Sequence, residues 1–206
     1  MQPMSIQISL MVLLAGYLLF MCWYGGKARP LQEAEIQDFY TRIHRLPLTA
    51  EDRAILTQLR PMLEQDDGRE FIMQNLVRYR KRAQYPEGYA YDENPIAADH
   101  RYGKLVIPYM LKRASHPIFF SRRSGKFVEP GSSEHWHMVA MVRYRSRRDF
   151  MRFALDISGK DIAVHKWAAI EVTQIFPTQA IISLVHVRLT LALVVLTSTL
   201  ILLNFS

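Results

Sequence analysis

Cysteine is almost missing from this chain: Cys22 is the single one in 206 residues. One thiol excludes a disulfide framework and any metal centre built from several cysteines. Acidic residues are missing from both ends, for the first 26 residues and the last 18 hold no Asp or Glu. Nucleotide and hydrolase signatures are missing as well. There is no G-x-G-x-x-G, no Walker loop, no G-x-S-x-G and no H-E-x-x-H. The length leaves no room for a two-domain enzyme with its own dinucleotide fold. What is there is 50% hydrophobic and 22% charged, with a mean hydropathy of −0.04. That average hides apolar ends around a charged middle. It argues against a wholly soluble protein, a polytopic transporter and a disordered chain.

The apolar ends read as membrane spans. Ile6 to Tyr24 carries no charge and is interrupted only by Gln7, Ser9 and Gly16. A helix of that length crosses a hydrocarbon core of about 30 Å. Trp23 and Tyr24 close it, as interfacial aromatics do. A cleaved signal peptide fits less well, because MQPMSIQ has no basic residue and no A-x-A follows. A lipoprotein signal fits poorly too, since Phe20 and Met21 precede Cys22. Leu189 to Phe205 is a second run, apolar on every side, with Thr197, Ser198 and Thr199 as small polar interruptions. The spans are set at 4–26 and 182–205. Lys27, Arg29 and Arg188 flank them on the inner side while both tails lack bases. The positive-inside rule then places the middle in the cytoplasm and both termini outside.

The middle divides by charge. Residues 31–67 carry a net of −4 and residues 69–188 a net of +9. In the first part, Ile36, Phe39, Tyr40, Ile43 and Leu46 recur at helical spacing and stop at Pro47. Thr49 then caps a second helix, with Ala54, Ile55, Leu59, Met62 and Leu63 as its stripe and a bend at Pro61. This acidic helical pair can dock on the basic domain. The bases are too dispersed for a nucleic-acid surface, and anionic lipid headgroups are the simpler external partner.

Residues 69–179 read as strand–helix–strand, twice. Phe71 to Arg80 is a strand. Asn94 and Pro95 start a helix with Ala98, Tyr102, Leu105, Val106, Tyr109 and Met110 on its buried face, kinked at Pro108. Pro117 to Phe120 is a strand that turns at Ser124-Gly125 into Phe127-Val128, and Trp136 to Arg145 is the third. Arg147 to Ile157 is a helix, and Val164 to Thr173 another or its continuation. Ile175-Phe176 is a short last strand. Val77-Arg78-Tyr79-Arg80 and Val142-Arg143-Tyr144-Arg145 repeat one tetrapeptide 65 residues apart. As first and third strands of a βαββαβ sheet, read as parallel neighbours, they would bring both Arg-Tyr-Arg ends to one rim.

The segments "MQNLVRYR", "HRYGKLVIPYMLKRASHPIFFS", "EHWHMVAMVRYRSRRDFMRFA" and "VHKWAAIEVTQIFPTQ" carry a resemblance. Over about residues 70–179 the chain resembles the bacterial domain-of-unknown-function family 1330, of the dimeric α+β-barrel type. The spans and the acidic pair depart from it. The resemblance implies a ferredoxin-like α+β domain whose sheet packs on a partner's sheet. It implies no reaction, so no catalytic residue carries over.

The candidate site residues are few. His135 and His137 would share one face of a strand, about 7 Å apart. They lack a third ligand, so a polar strand entrance beside a buried Trp136 is the blander reading. His165 opens a helix with Trp167, Ala168 and Ala169, and a partly buried structural histidine is its ordinary role. Tyr102, Trp136, His137 and His165 are the candidates for a ligand cleft. Arg78, Arg80, Arg143 and Arg145 are candidates for contact with an anion or a partner, against a solvated rim. Glu33, Glu35 and Asp38 are their internal counter-charges. No metal set and no cofactor is legible.

Three functions compete. The first is a non-catalytic accessory or scaffolding subunit of a bacterial inner-membrane assembly, a homo-oligomer or part of a larger complex. The second is a membrane-tethered binder or enzyme that holds a small hydrophobic or aromatic ligand between sheet and helices. The third is a membrane-shaping homo-oligomer.

Overall fold

Four helices begin where a side chain takes up the free amides of a first turn. The chain's computed structural model describes residues 3–26, 29–128 and 135–182, with 190, 193–198, 200 and 201 beyond them. Helix α1 covers Pro3–Gly25. In α2, Glu33–His44, the Glu35 carboxylate accepts from the Gln32 amide at 3.1 Å. Thr49 Oγ1 accepts from the Asp52 amide ahead of α3, Ala50–Thr57. The expected bend at Pro61 is a break. Helix α4, Arg60–Glu64, is separate, with Pro61 in its first turn, where a missing amide costs nothing. Strand β1 covers Phe71–Tyr79, and Asn94 then caps α5, Pro95–Leu111, through the amides of Ile96 and Ala97. Strands β2, His116–Arg122, and β3, Met138–Tyr144, follow. Ser146 caps α6, Arg147–Ile157, by accepting from the Asp149 amide. Helix α7, Ala163–Ala169, passes directly into β4, Ile170–Thr178.

The four strands form one sheet in the order β2-β3-β1-β4, every neighbouring pair antiparallel. The molecule is therefore a mixed α+β fold. Three sequence expectations are corrected here. Strands β1 and β3 run antiparallel, not parallel. Residues 170–173 are strand rather than helix, because Ile170 turns extended at φ −97° and ψ 126° with no linker after α7. Phe127 and Val128 lie outside the sheet and are exposed.

Antiparallel register sorts the side chains into two faces. Phe71, Met73 and Val77 of β1 are buried beneath the helices, with Tyr144, Val106, Met110 and Phe153 around the first two and Ala98, Ala168 and Ala169 around the third. Fully burying one such large side chain contributes about 1.5–3 kcal/mol. The opposite face carries Ile72, Leu76, Val139 and Met141, and on it Phe119 and Phe176 stay exposed.

The acidic helices close a further core. Ile36, Phe39, Tyr40, Ile43 and Leu63 pack with Met151 and Ala154 of α6. Ion pairs seal the edge: Arg148 donates to both carboxylate oxygens of Glu35, at 2.8 and 3.1 Å. Arg147 reaches Asp66 and Asp67, both at 3.1 Å. Gly68, at φ 77°, is needed where the chain crosses residues 29–30. A Cβ there would lie 2.6 Å from the Arg29 carbonyl carbon.

Among the described residues no helix is long and apolar enough to cross a membrane. In α1 the longest unbroken run of described side chains is 14–25, within a helical backbone of 23 residues. Its Leu14, Tyr17, Leu18, Leu19 and Phe20 are exposed at successive positions around the helix. Most of 182–205, together with Lys27, Arg188 and residues 129–134, lies outside the described residues.

Candidate functional site

The register disperses the arginine quartet. Phe71 pairs with Tyr144 and Val77 with Met138, so the two Arg-Tyr-Arg segments sit at opposite ends of the sheet, about 20 Å apart at strand rise. No common rim exists, and three of the four side chains are engaged locally, while Arg80 Nε is buried without a hydrogen-bond partner among the described residues. Arg143 is buried and donates to Glu70, to the Ala114 carbonyl at 2.7 Å and to the Tyr24 carbonyl at 3.1 Å. Arg145 clasps Asp149 with two nitrogens, at 2.7 and 2.9 Å, and donates to the Trp23 carbonyl at 2.7 Å. Burial would raise the Asp149 carboxyl, but Arg145 and Ser146 hold it below the usual range. Arg78 pairs with Glu171 at 3.2 Å, and the backbone amide of Arg80 bonds the Ala169 carbonyl. The expected counter-charges are engaged elsewhere: Glu33 by Arg60, Glu35 by Arg29 and Arg148, and Asp38 by Arg42.

Arg143 and Arg145 do something else. Their guanidinium groups take the last carbonyls of α1, where a helix end carries partial negative charge. Gly26, at φ 68°, lets the chain turn away with its amide on the Cys22 carbonyl. Tyr24 adds its hydroxyl to His116 Nε2 at 2.7 Å. The apolar helix is thus fastened to the open sheet face.

The chemistry of interest lies on the other face. A broad cleft of about 2180 Å³ runs between the helices and the sheet. That is larger than a typical small-molecule pocket, and its lining reaches from α3 across α5 to α7 and the sheet. Val106, Met110, Ala140, Val142 and Phe120 give it apolar walls. Tyr79, Asp99, Tyr102 and Lys166 bring polar groups to the same space. The Tyr79 hydroxyl donates to Asp99 at 2.7 Å, with Met138 Sδ at 3.2 Å. Burial, then that carboxylate, pushes the Tyr79 phenol far above its ordinary value. Burial likewise raises Tyr102. Lys166 sits 5.6 Å from the Tyr102 ring centroid and 5.1 Å from that of Trp167. Burial pulls its ammonium pKa down, and the charge of Asp99 opposes this.

Of the four ligand candidates, Tyr102 and His137 line the cleft, whereas Trp136 and His165 do not. His137 precedes β3 and accepts from the Tyr79 amide at 3.1 Å, its ring stacked on Tyr79. His135 is exposed, and the described residues contain no group of side chains fit for a metal. His165 is buried in a tyrosine cage: Tyr85 OH lies 2.9 Å from Nδ1, and the Tyr91 ring is edge-on at 5.0 Å. Burial, then Arg101, lowers its pKa. Its work is to hold the loop before α5 against α7. Asp99 and Lys166 are the residues the sequence reading passed over. Asp99 and Tyr102, three apart on one helix, share a face, and Lys166 is the one charge in the stretch Ala163–Ala169.

No protein-family profile and no curated protein matches the chain. Solved structures of similar fold include RPA0582, a protein of unknown function from Rhodopseudomonas palustris. It is 23% identical over 67% of this chain and 98% of that one, with a TM-score of 0.54. Its methylated form gives 24% identity, 67% and 96% coverage, and a TM-score of 0.53. Such a likeness speaks for the fold alone.

Proposed function

We propose that this chain is a membrane-anchored domain that binds a small, largely apolar or aromatic molecule between its sheet and its helices. The observation that carries the reading is the cleft itself. Apolar walls with a few convergent polar groups, Tyr79, Asp99, Tyr102 and Lys166, are what small-molecule sites are made of. The reading assigns binding and no reaction. The strand order supports a ferredoxin-like domain of the dimeric α+β-barrel type, and the likeness to RPA0582 speaks for a shared fold; kinship to the domain-of-unknown-function family 1330 rests on the sequence segments alone.

The anchor rests on α1 and the C-terminal segment, over 4–26 and 182–205. Exposed apolar side chains on every side of an uncharged helix call for lipid around them. The bases beside the spans favour a bacterial inner membrane, with the domain in the cytoplasm and both termini outside.

A second reading is favoured by the open sheet face. Ile72, Leu76, Val139, Met141, Phe119 and Phe176 present an apolar surface that a second copy's sheet would cover. The protein would then be an accessory or scaffolding subunit, a homo-oligomer at the membrane.

The test uses the full chain in phosphatidylcholine nanodiscs, titrated with N-phenyl-1-naphthylamine, a neutral dye that fluoresces in apolar sites. Saturable binding of one dye per chain, above empty nanodiscs, is expected. A signal equal to that of empty nanodiscs would remove the cleft reading and leave the scaffold.

A further inference from the structure

The lining of the cleft is charged in one direction. Six basic side chains, Arg80, Lys104, Arg122, Arg123, Lys160 and Lys166, face three acidic ones, Asp52, Asp99 and Asp161. All three acids are already engaged, Asp52 by the Thr49 hydroxyl at 3.0 Å. Asp99 accepts from Tyr79 at 2.7 Å, and Asp161 from Tyr89 at 2.9 Å.

Lys166 stands on α7, three residues before the Ala169 that packs near Tyr79. Its side chain lies among Tyr102 and Trp167, and among the described residues no oxygen accepts a hydrogen bond from it. The side chain is only half-buried and its nitrogen still reaches solvent, so its three donors are open to whatever enters the cleft. Arg122, at the end of β2, is the second base near this point. It pairs in register with Met138, which touches the Tyr79 hydroxyl, and its charge reaches Tyr79. Away from these bases, toward the Met73 end of the sheet, the walls turn apolar through Val106, Met110, Ala140 and Val142.

We propose that the cleft selects an amphipathic anion. A carboxylate or sulfonate sits at Lys166 with Arg122 beside it, and an apolar or aromatic body lies along the Val106 and Val142 walls. The head supplies the acceptors that Lys166 lacks. The body supplies the contact area. Asp99, held by Tyr79, rejects a second negative charge near the head, so a monoanion fits better than a dianion. This inference rests on the cleft reading and adds the sign of the ligand's charge to it.

The experiment compares two dyes that share one ring system. The probes are 1-anilinonaphthalene-8-sulfonate, an anion, and N-phenyl-1-naphthylamine, which is neutral. Both are titrated into the full chain in phosphatidylcholine nanodiscs, with empty nanodiscs subtracted. The anion is expected to bind at least tenfold tighter than the neutral dye. Lys166→Met should collapse that preference about tenfold, and Lys166→Arg should restore it. Arg122→Met, which changes an exposed residue, should lower it severalfold without risk to the core. Displacement of the anionic dye by oleate would point to a lipid-derived carboxylate, and displacement by 2-naphthoate to a soluble aromatic one. Equal affinity for both dyes, or a preference that Lys166→Met and Arg122→Met leave intact, overturns the charge selectivity while the cleft reading stands. Binding of neither dye removes both.

Discussion

The guanidinium carbon of Arg143 lies 3.7 Å from the centroid of the Tyr24 ring, joining the third strand to the end of the first helix. The same group donates to Glu70, Ala114 and Tyr24. A buried arginine that loses its partners leaves carbonyls unsatisfied, at about 1–3 kcal/mol. Arg143→Met should therefore lower stability by about 2 kcal/mol in urea unfolding of the detergent-solubilised chain. Tyr24→Phe keeps the ring and should cost about 1 kcal/mol or less, through the lost hydroxyl contact with His116. Equal losses from the two substitutions would mean that the guanidinium, through its bonds and its stacking together, contributes no more than the Tyr24 hydroxyl.

Two glycines should respond in opposite directions. Gly68 holds a positive φ against the backbone of Arg29 and Pro30. Gly68→Ala should destabilise by about 1–3 kcal/mol, since neither backbone can yield cheaply. Gly103 lies inside α5 with nothing within 4 Å of a Cβ. Gly103→Ala should stabilise by up to about 1 kcal/mol. Thermal melting of the two variants beside the parent chain checks both signs.

Acid should loosen the dock between the acidic helices and α6. The bonds from Arg148, first of all, hold the Glu35 carboxyl down to about 2, against an ordinary 4.5. A depressed carboxyl stabilises the fold above its unfolded pKa, and that stabilisation is lost as pH falls through the folded one. The loss should fall between about pH 4.5 and 2. Glu35→Gln should flatten the stability–pH slope in that window and leave it unchanged above pH 6. An identical slope in both proteins would take Glu35 out of the dock.

Orientation has its own test. Ser124 is exposed in the loop after β2. In a Cys22→Ser background, Ser124→Cys should resist a membrane-impermeant thiol reagent in intact cells and react after lysis. Ready labelling in intact cells would place the domain outside.

Much of the fold was legible because local signals were strong. Asn94-Pro95 and Thr49 mark helix starts that the structure keeps at the same residues. The start of β4 was hidden, because Ala169 passes to Ile170 with no glycine or proline between helix and strand. The repeated Val-Arg-Tyr-Arg misled, since a repeat fixes composition and not direction. Antiparallel pairing then sends Arg78 and Arg143 to opposite ends. Tyr102 and His137, named from the sequence as an aromatic and an imidazole, do line the cleft, while Trp136 and His165 do not. The Tyr79–Asp99 bond was not legible. It joins residues 20 apart in different elements, and only the packing of α5 over β1 brings them together.

The most direct test of the binding account fills the cleft. Gly103 lines it and leaves open space where a side chain would stand. Leu105, on the same helix, is exposed and lies outside the lining. N-phenyl-1-naphthylamine is titrated into the parent chain, Gly103→Phe and Leu105→Phe, each in nanodiscs. The account predicts at least a tenfold loss of affinity in Gly103→Phe, with Leu105→Phe titrating like the parent. Dye binding to Gly103→Phe with the parent's affinity would contradict it.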